Sequence, residues 1–151
     1  MANYFAYGSC MSLKDIRRTV GTAQYVGPAT LQNYRLGFTK FSKGRQGGVA
    51  DIVPAAGEKV EGIVFSVPDF IALDRREGVH IQAYKRISLK IELQTTGEEV
   101  ETETYTVVHK EKEEIIPSEE YMNIILDGAC NLSEHYQNML KERFDKFKKR
   151  K

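Results

Sequence analysis

The chain has 151 residues, 41% hydrophobic and 28% charged, with a net charge of +1, a size and composition that suit one soluble domain able to bury a core without disulfides or metal. No apolar run approaches the roughly 20 residues of a membrane helix, and neither GxGxxG nor GxxxxGKS/T occurs, so a nucleotide cofactor has no support. His80, His109 and His135 show no HxH or HExxH spacing, and Cys10 and Cys130 stand alone, so no metal, no cofactor and no disulfide is expected.

The start, Met1-Ala2-Asn3-Tyr4, has no basic segment leading into an apolar core, which predicts a cytoplasmic protein with reduced thiols. Asn3 to Tyr7 reads as a short buried strand that enters a small-residue turn at Gly8-Ser9. Ser12 then caps a helix, with Asp15 as its acidic partner and Gly21 at its end. A strand passing through such a turn into a helix aims several backbone N–H groups one way, which suits an anion. From Ala23 to Phe38, Tyr and β-branched residues alternate with Gly, Pro28 and Asn33, the pattern of bent or paired strands. The basic stretch 41–48 reads as an exposed loop.

Two strands are expected over 48–54 and 60–67, joined by 55–59, and Gly62 marks a bulge or a close backbone approach. Pro68-Asp69 opens a short helix that turns Phe70, Ile71 and Leu73 inward and stops at Gly78, leaving Glu77 at its end. Ile87, Leu89, Ile91 and Leu93 alternate with polar residues as a half-buried strand; Tyr84 has the opposite parity and faces a cavity or water. Thr95-Thr96-Gly97-Glu98 turns the chain into a Thr-rich strand over 100–108. Ser118 caps a helix bearing Tyr121, Ile124 and Ile125. Ser133 opens the last helix, whose apolar face is Tyr136, Met139, Leu140, Phe144 and Phe147, before a basic tail over 141–151 frays.

Six or more strands precede two terminal helices without βαβα alternation. This predicts a single α+β domain over 1–151 with a curved, barrel-like mixed sheet and flanking helices. Charge is uneven: 97–120 holds nine acids against Lys110 and Lys112, and 141–151 holds seven Lys or Arg against Glu142 and Asp145. A solvated acidic hairpin and a helix end whose cations suit the dipole explain both, with no nucleic-acid or membrane partner. Cys10 has no histidine at a motif position beside it to make it a nucleophile.

Several short segments, in order, resemble the γ-glutamylcyclotransferase family. Tyr4-Phe5-Ala6-Tyr7-Gly8-Ser9-Cys10-Met11 resembles its opening YFAYGSN, and Gly47-Gly48-Val49-Ala50 with Val60-Glu61-Gly62-Ile63-Val64-Phe65 resembles its next block. Leu73-Asp74-Arg75-Arg76-Glu77-Gly78-Val79 matches LDxxEGV, Tyr84 falls on a tyrosine that follows it, and Pro117-Ser118-Glu119-Glu120-Tyr121 through Gly128-Ala129 resembles a late PSxxY…GA helix.

The resemblance implies a cofactor-free enzyme that releases 5-oxoproline from γ-glutamyl amino acids or related small amides. The substrate's α-amine attacks its own γ-carbonyl, so the protein needs to fold the substrate, shuttle protons and support an oxyanion. By resemblance Glu77 is the general acid/base, with a pKa raised by burial and with Arg75 and Arg76 turned away, since cations lower a carboxyl pKa. Backbone N–H groups around Tyr7, Gly8 and Ser9 hold the glutamyl carboxylate or the oxyanion, and Tyr84 and Tyr121 close the pocket. Cys10 replaces the family's Asn, a stronger hydrogen-bonding side chain, and so bears on the choice of acceptor. The alternatives are the same cyclisation on γ-glutamylated amines or metabolites, and a non-catalytic binding module of the same fold. A monomer or homodimer is expected.

Overall fold

A computed structural model describes residues 1–150. Recurring β-branched and aromatic residues make two extended strands, β2 (Gln24–Ser42) and β3 (Gly47–Val67), which pair antiparallel across a tight turn at 43–46. With β1 (Ala2–Ala6), β4 (Tyr84–Leu93) and β5 (Glu99–Val107) they close a barrel in the order β1-β3-β2-β4-β5. All pairings are antiparallel except that of β1 with β5, so the sheet is mixed. The α+β barrel expected from the sequence is present, but with five strands among the described residues rather than six or more.

The count falls because 48–54 and 60–67 are two halves of β3. Pairing with β2 breaks between Pro54 and Lys59, where Asn33 and Gly57 take positive φ and the Gly57 N–H donates to Asn33 Oδ1 at 3.1 Å. The ribbon bends there and keeps its partner on both sides of the bend. Gly62 is the close approach: a Cβ would stand 2.4 Å from the Ala6 carbonyl oxygen, while the register around it is unbroken.

Among the described residues four α-helices flank the barrel. Ser12 caps α1 (Leu13–Arg17), accepting from the Asp15 N–H at 3.1 Å and donating to its carboxylate at 2.7 Å. In α2 (Ile71–Arg76) Phe70 and Leu73 are buried but Ile71 is 66% exposed, against expectation. Residues two apart lie about 200° apart on a helix, so Ile71 and Leu73 cannot share a face. Ser118 and Ser133 cap α3 (Glu119–Gly128) and α4 (Glu134–Lys149) as expected. The tail expected to fray is helical through Lys149, because Phe144 and Phe147 pack edge-on against Phe38 with centroids 6.0 and 5.6 Å away, and Arg143 pairs with Glu114. No helix among the described residues is long and apolar enough to cross a membrane.

Candidate active site

β1 delivers the chain to Gly8, whose missing side chain lets the turn press on β3. A Cβ there would lie 3.1 Å from the Ala50 Cβ and 3.5 Å from the Tyr121 hydroxyl. Past β1, the Gly8, Ser9 and Cys10 N–H groups donate to no protein acceptor among the described residues. They stand beside a cavity of about 420 Å3, and all seven residues singled out from the sequence line it: Tyr7, Gly8, Ser9, Cys10, Glu77, Tyr84 and Tyr121.

Glu77 closes α2, and Gly78, in the left-handed region at φ 69°, reverses the chain behind it. The Glu77 side chain makes no hydrogen bond or ion pair among the described residues. Burial pushes its carboxyl above the usual range, opposed by the Arg76 and, less strongly, the Arg45 guanidinium. The expectation that both neighbouring arginines turn away holds for Arg75, which is exposed, and fails for Arg76. Successive helical residues diverge by about 100°, and Arg76 falls on the cavity side, 3.5 Å from Ser9 Oγ and 3.4 Å from Thr19 Oγ1.

Two tyrosines grip the backbone of one residue of β3, Ala50. The Ala50 N–H donates to the Tyr121 hydroxyl at 3.0 Å, and the Tyr84 hydroxyl donates to the Ala50 carbonyl at 3.2 Å. Tyr121 acts there as acceptor, so its own O–H remains available to the cavity. Burial pushes its pKa up to about 12, and it stays a proton donor at neutral pH. Tyr121 reaches this position because the chain before α3 crosses directly over Gly47 and Gly48. A Cβ on Gly48 would stand 1.9 Å from the Ile115 carbonyl oxygen, and the Gly48 N–H donates to Ile116 at 3.0 Å. Tyr7 spends its hydroxyl on the Tyr105 carbonyl at 2.6 Å, so its side chain is a wall of the cavity.

The sequence matches the AIG2-like family over residues 59–140. Mouse γ-glutamylcyclotransferase is 32% identical over 146 residues, which cover 91% of this chain and 76% of that protein; the human protein is 33% identical with the same coverage. A solved γ-glutamyl cyclotransferase structure superposes with a TM-score of 0.86 at 32% identity, covering 93% of this chain and 86% of that one.

This chain belongs to the AIG2-like γ-glutamylcyclotransferase family.

Membership in this enzyme family gives the cavity a setting, and several of its residues went unselected from sequence. Tyr4 lines it beside Cys10, whose thiol burial pushes up to about 11 against a smaller lowering by Arg76; Cys10 therefore keeps its proton at neutral pH. Lys40 arrives from the end of β2, Lys43 and Arg45 from the turn between β2 and β3, and the Arg45 guanidinium sits 5.4 Å over the Tyr121 ring. For Lys43 and Arg45 the available signal was the basic composition of 41–48, read as an exposed loop.

Asp51 is fully buried next to Ala50. Its carboxylate accepts from Thr39 Oγ1, Thr106 Oγ1 and Lys110 Nζ at 2.7 Å, the Ile52 N–H at 2.8 Å and the Val107 N–H at 3.0 Å, tying β2, β3 and β5 together behind the site. A lone acid in the apolar run Val49-Ala50-Asp51-Ile52-Val53 was its trace in the sequence.

Proposed function

We propose that the protein releases 5-oxoproline from small γ-glutamyl conjugates, with Glu77 as general acid/base. The observation that carries this reading is a partly buried carboxyl with a raised pKa and, among the described residues, no hydrogen-bond or ion-pair partner, in a cavity also lined by Gly8, Ser9 and Cys10, whose backbone N–H groups no acceptor among the described residues engages. A γ-glutamyl group has an α-ammonium and an α-carboxylate on one carbon, a charge pair that suits this combination. In this reading the amides at Gly8, Ser9 and Cys10 hold the α-carboxylate, with Arg76 beside Ser9 adding charge.

Glu77 then takes a proton from the α-ammonium. The freed amine attacks the γ-carbonyl carbon and closes a five-membered ring, placing negative charge on the carbonyl oxygen, where the Tyr121 O–H is a donor within the cavity. Collapse breaks the original amide C–N bond as Glu77 gives its proton to the leaving nitrogen; the carboxylate so freed takes the second proton, which the ring nitrogen sheds as it becomes an amide, and passes it to the departing amine. The products are 5-oxoproline and a free amine. No protein nucleophile is required, in keeping with a protonated Cys10. A raised pKa brings the carboxyl nearer the pH at which it can take and return a proton in turn.

The test is release of 5-oxoproline from γ-glutamyl-alanine by the purified protein beside its Glu77→Gln variant. Product above that control supports the reading, and equal traces from both overturn it.

A further inference from the structure

We infer that the leaving amine of the preferred substrate carries two negative charges, read by Lys40, Lys43 and Arg45. The inference rests on the cyclotransferase reading and extends it to the half of the substrate that departs.

The charges lining the cavity are unequal. Four cationic residues, Lys40, Lys43, Arg45 and Arg76, line it with one carboxylate, Glu77, among the described residues. The glutamyl half of a substrate accounts for two of these groups: Glu77 for its ammonium, Arg76 beside the Ser9 turn for its carboxylate. Three cations remain, all from one short stretch at the end of the β2–β3 ribbon.

Among the described residues no side chain of Lys40, Lys43 or Arg45 makes an ion pair or donates a hydrogen bond, although the acidic run 111–114 crosses nearby, with the Glu111 N–H bonded to the Thr39 carbonyl. Glu114, the acid of that run engaged in an ion pair, is taken by Arg143. Arg45 is also placed: half-buried, it lies over the Tyr121 ring, and its backbone N–H is held by Ser42 Oγ at 3.2 Å. A guanidinium fixed against an aromatic face presents its donors with little freedom left to lose, which suits a carboxylate or phosphate.

One carboxylate on the departing amine would leave most of this positive charge unmatched, and an uncharged amine would leave all of it. Of the three cases, two negative charges come nearest to matching the three cations. A dicarboxylic amino acid and a phosphorylated amine share this chemistry.

The experiment compares kcat/KM, by 5-oxoproline release, for γ-glutamyl-ethylamide, γ-glutamyl-alanine, γ-glutamyl-glutamate and the γ-glutamyl amide of 2-aminoethyl phosphate. At least one dianionic substrate should exceed γ-glutamyl-alanine about tenfold, the worth of one hydrogen bond between charged groups, and γ-glutamyl-alanine should exceed the ethylamide. The faster dianion identifies the source. Arg45→Ala, and separately Lys40→Ala with Lys43→Ala, should compress the ratio between dianionic and neutral substrates, Arg45→Lys should restore part of it, and added salt should shrink it. Loss of a purely structural residue would lower all four substrates together. Equal kcat/KM for the four, or a ratio unchanged in these variants, overturns the inference while leaving the cyclotransferase reading intact. No 5-oxoproline from any of them overturns both.

Discussion

Replacing Asp51 with Asn changes one atom's chemistry at the most highly coordinated side chain behind the site. Five donors meet its two oxygens: Oδ1 serves the Ile52 N–H, the Val107 N–H and Thr106, and Oδ2 serves Thr39 and Lys110. An Asn carbonyl oxygen can keep the first three. The amide nitrogen then faces Thr39, whose hydroxyl can turn to accept, and Lys110, whose ammonium cannot. Breaking a buried ion pair from one side costs about 3–5 kcal/mol. Lys110 is 31% exposed and retains Thr106 Oγ1 and the Val107 carbonyl as acceptors, which places the cost near the lower end, ~3 kcal/mol. Against a total stability of about 5–15 kcal/mol this is a large fraction, and at roughly 2–4 °C per kcal/mol for a domain of this size the melting temperature falls by about 6–12 °C. Urea titration should show a lower midpoint with an unchanged slope. Asp51→Asn with Lys110→Met should recover part of the loss, because no unpaired charge is then left. An Asp51→Asn variant within about 1 kcal/mol of the parent would refute the assignment of this cluster as a structural tie.

Glu77→Gln should separate activity from stability. General acid/base assistance is worth about 10²–10⁴-fold, so turnover should fall by that much. The folded protein holds the Glu77 proton more tightly than the unfolded chain, so the group favours folding below its unfolded pKa and loses that contribution as pH rises through the folded value. The variant should therefore melt higher than the parent at pH 7 and lose that advantage toward pH 4; a lower melting temperature at pH 7 refutes burial as the dominant influence. Arg76→Ala removes the stronger of the two cations that lower this carboxyl, and the acid limb of the kcat/KM profile should move to higher pH; a limb moved downward contradicts it. Gly48→Ala forces a methyl group toward the Ile115 backbone and should cost about 1–3 kcal/mol, with weaker substrate binding as Tyr121 shifts. Gly21→Ala, with nothing within 4 Å, is the control expected to leave the melting temperature nearly unchanged.

Local chemistry explains which elements were legible. Ser12, Ser118 and Ser133 each precede an apolar periodicity, and a side-chain oxygen three residues ahead of a free N–H caps a helix regardless of what packs on it. The β4–β5 hairpin announces itself through period-2 alternation around Thr95-Thr96-Gly97-Glu98. β3 was misread as two strands because Pro54 and Gly57 carry the composition of a turn, while its continuity depends on β2 bending with it at Asn33. Ile71 was misplaced by counting apolar residues without their angular spacing. The ordered C-terminal end of α4 depends on Phe38, about a hundred residues earlier in the chain.

For the candidate site, the order of short segments was enough to select seven residues that the fold then brings to one cavity, because each is in a turn, near a helix end or on a strand, where the backbone is set by its neighbours. The electrostatic setting is different in kind. A carboxyl pKa depends on distances through space, and Glu77 is governed by how far α2 sinks toward the barrel, by which side of its last turn Arg76 leaves, and by Arg45 arriving on the β2–β3 turn. The same holds for the grip of Tyr84 and Tyr121 on Ala50 and for the cations around the mouth. Residue types and local backbone follow from short-range sterics and hydrogen bonding, readable along the chain. Charge, burial and polar satisfaction are sums over neighbours in space, and closure of the barrel alone assembles those neighbours.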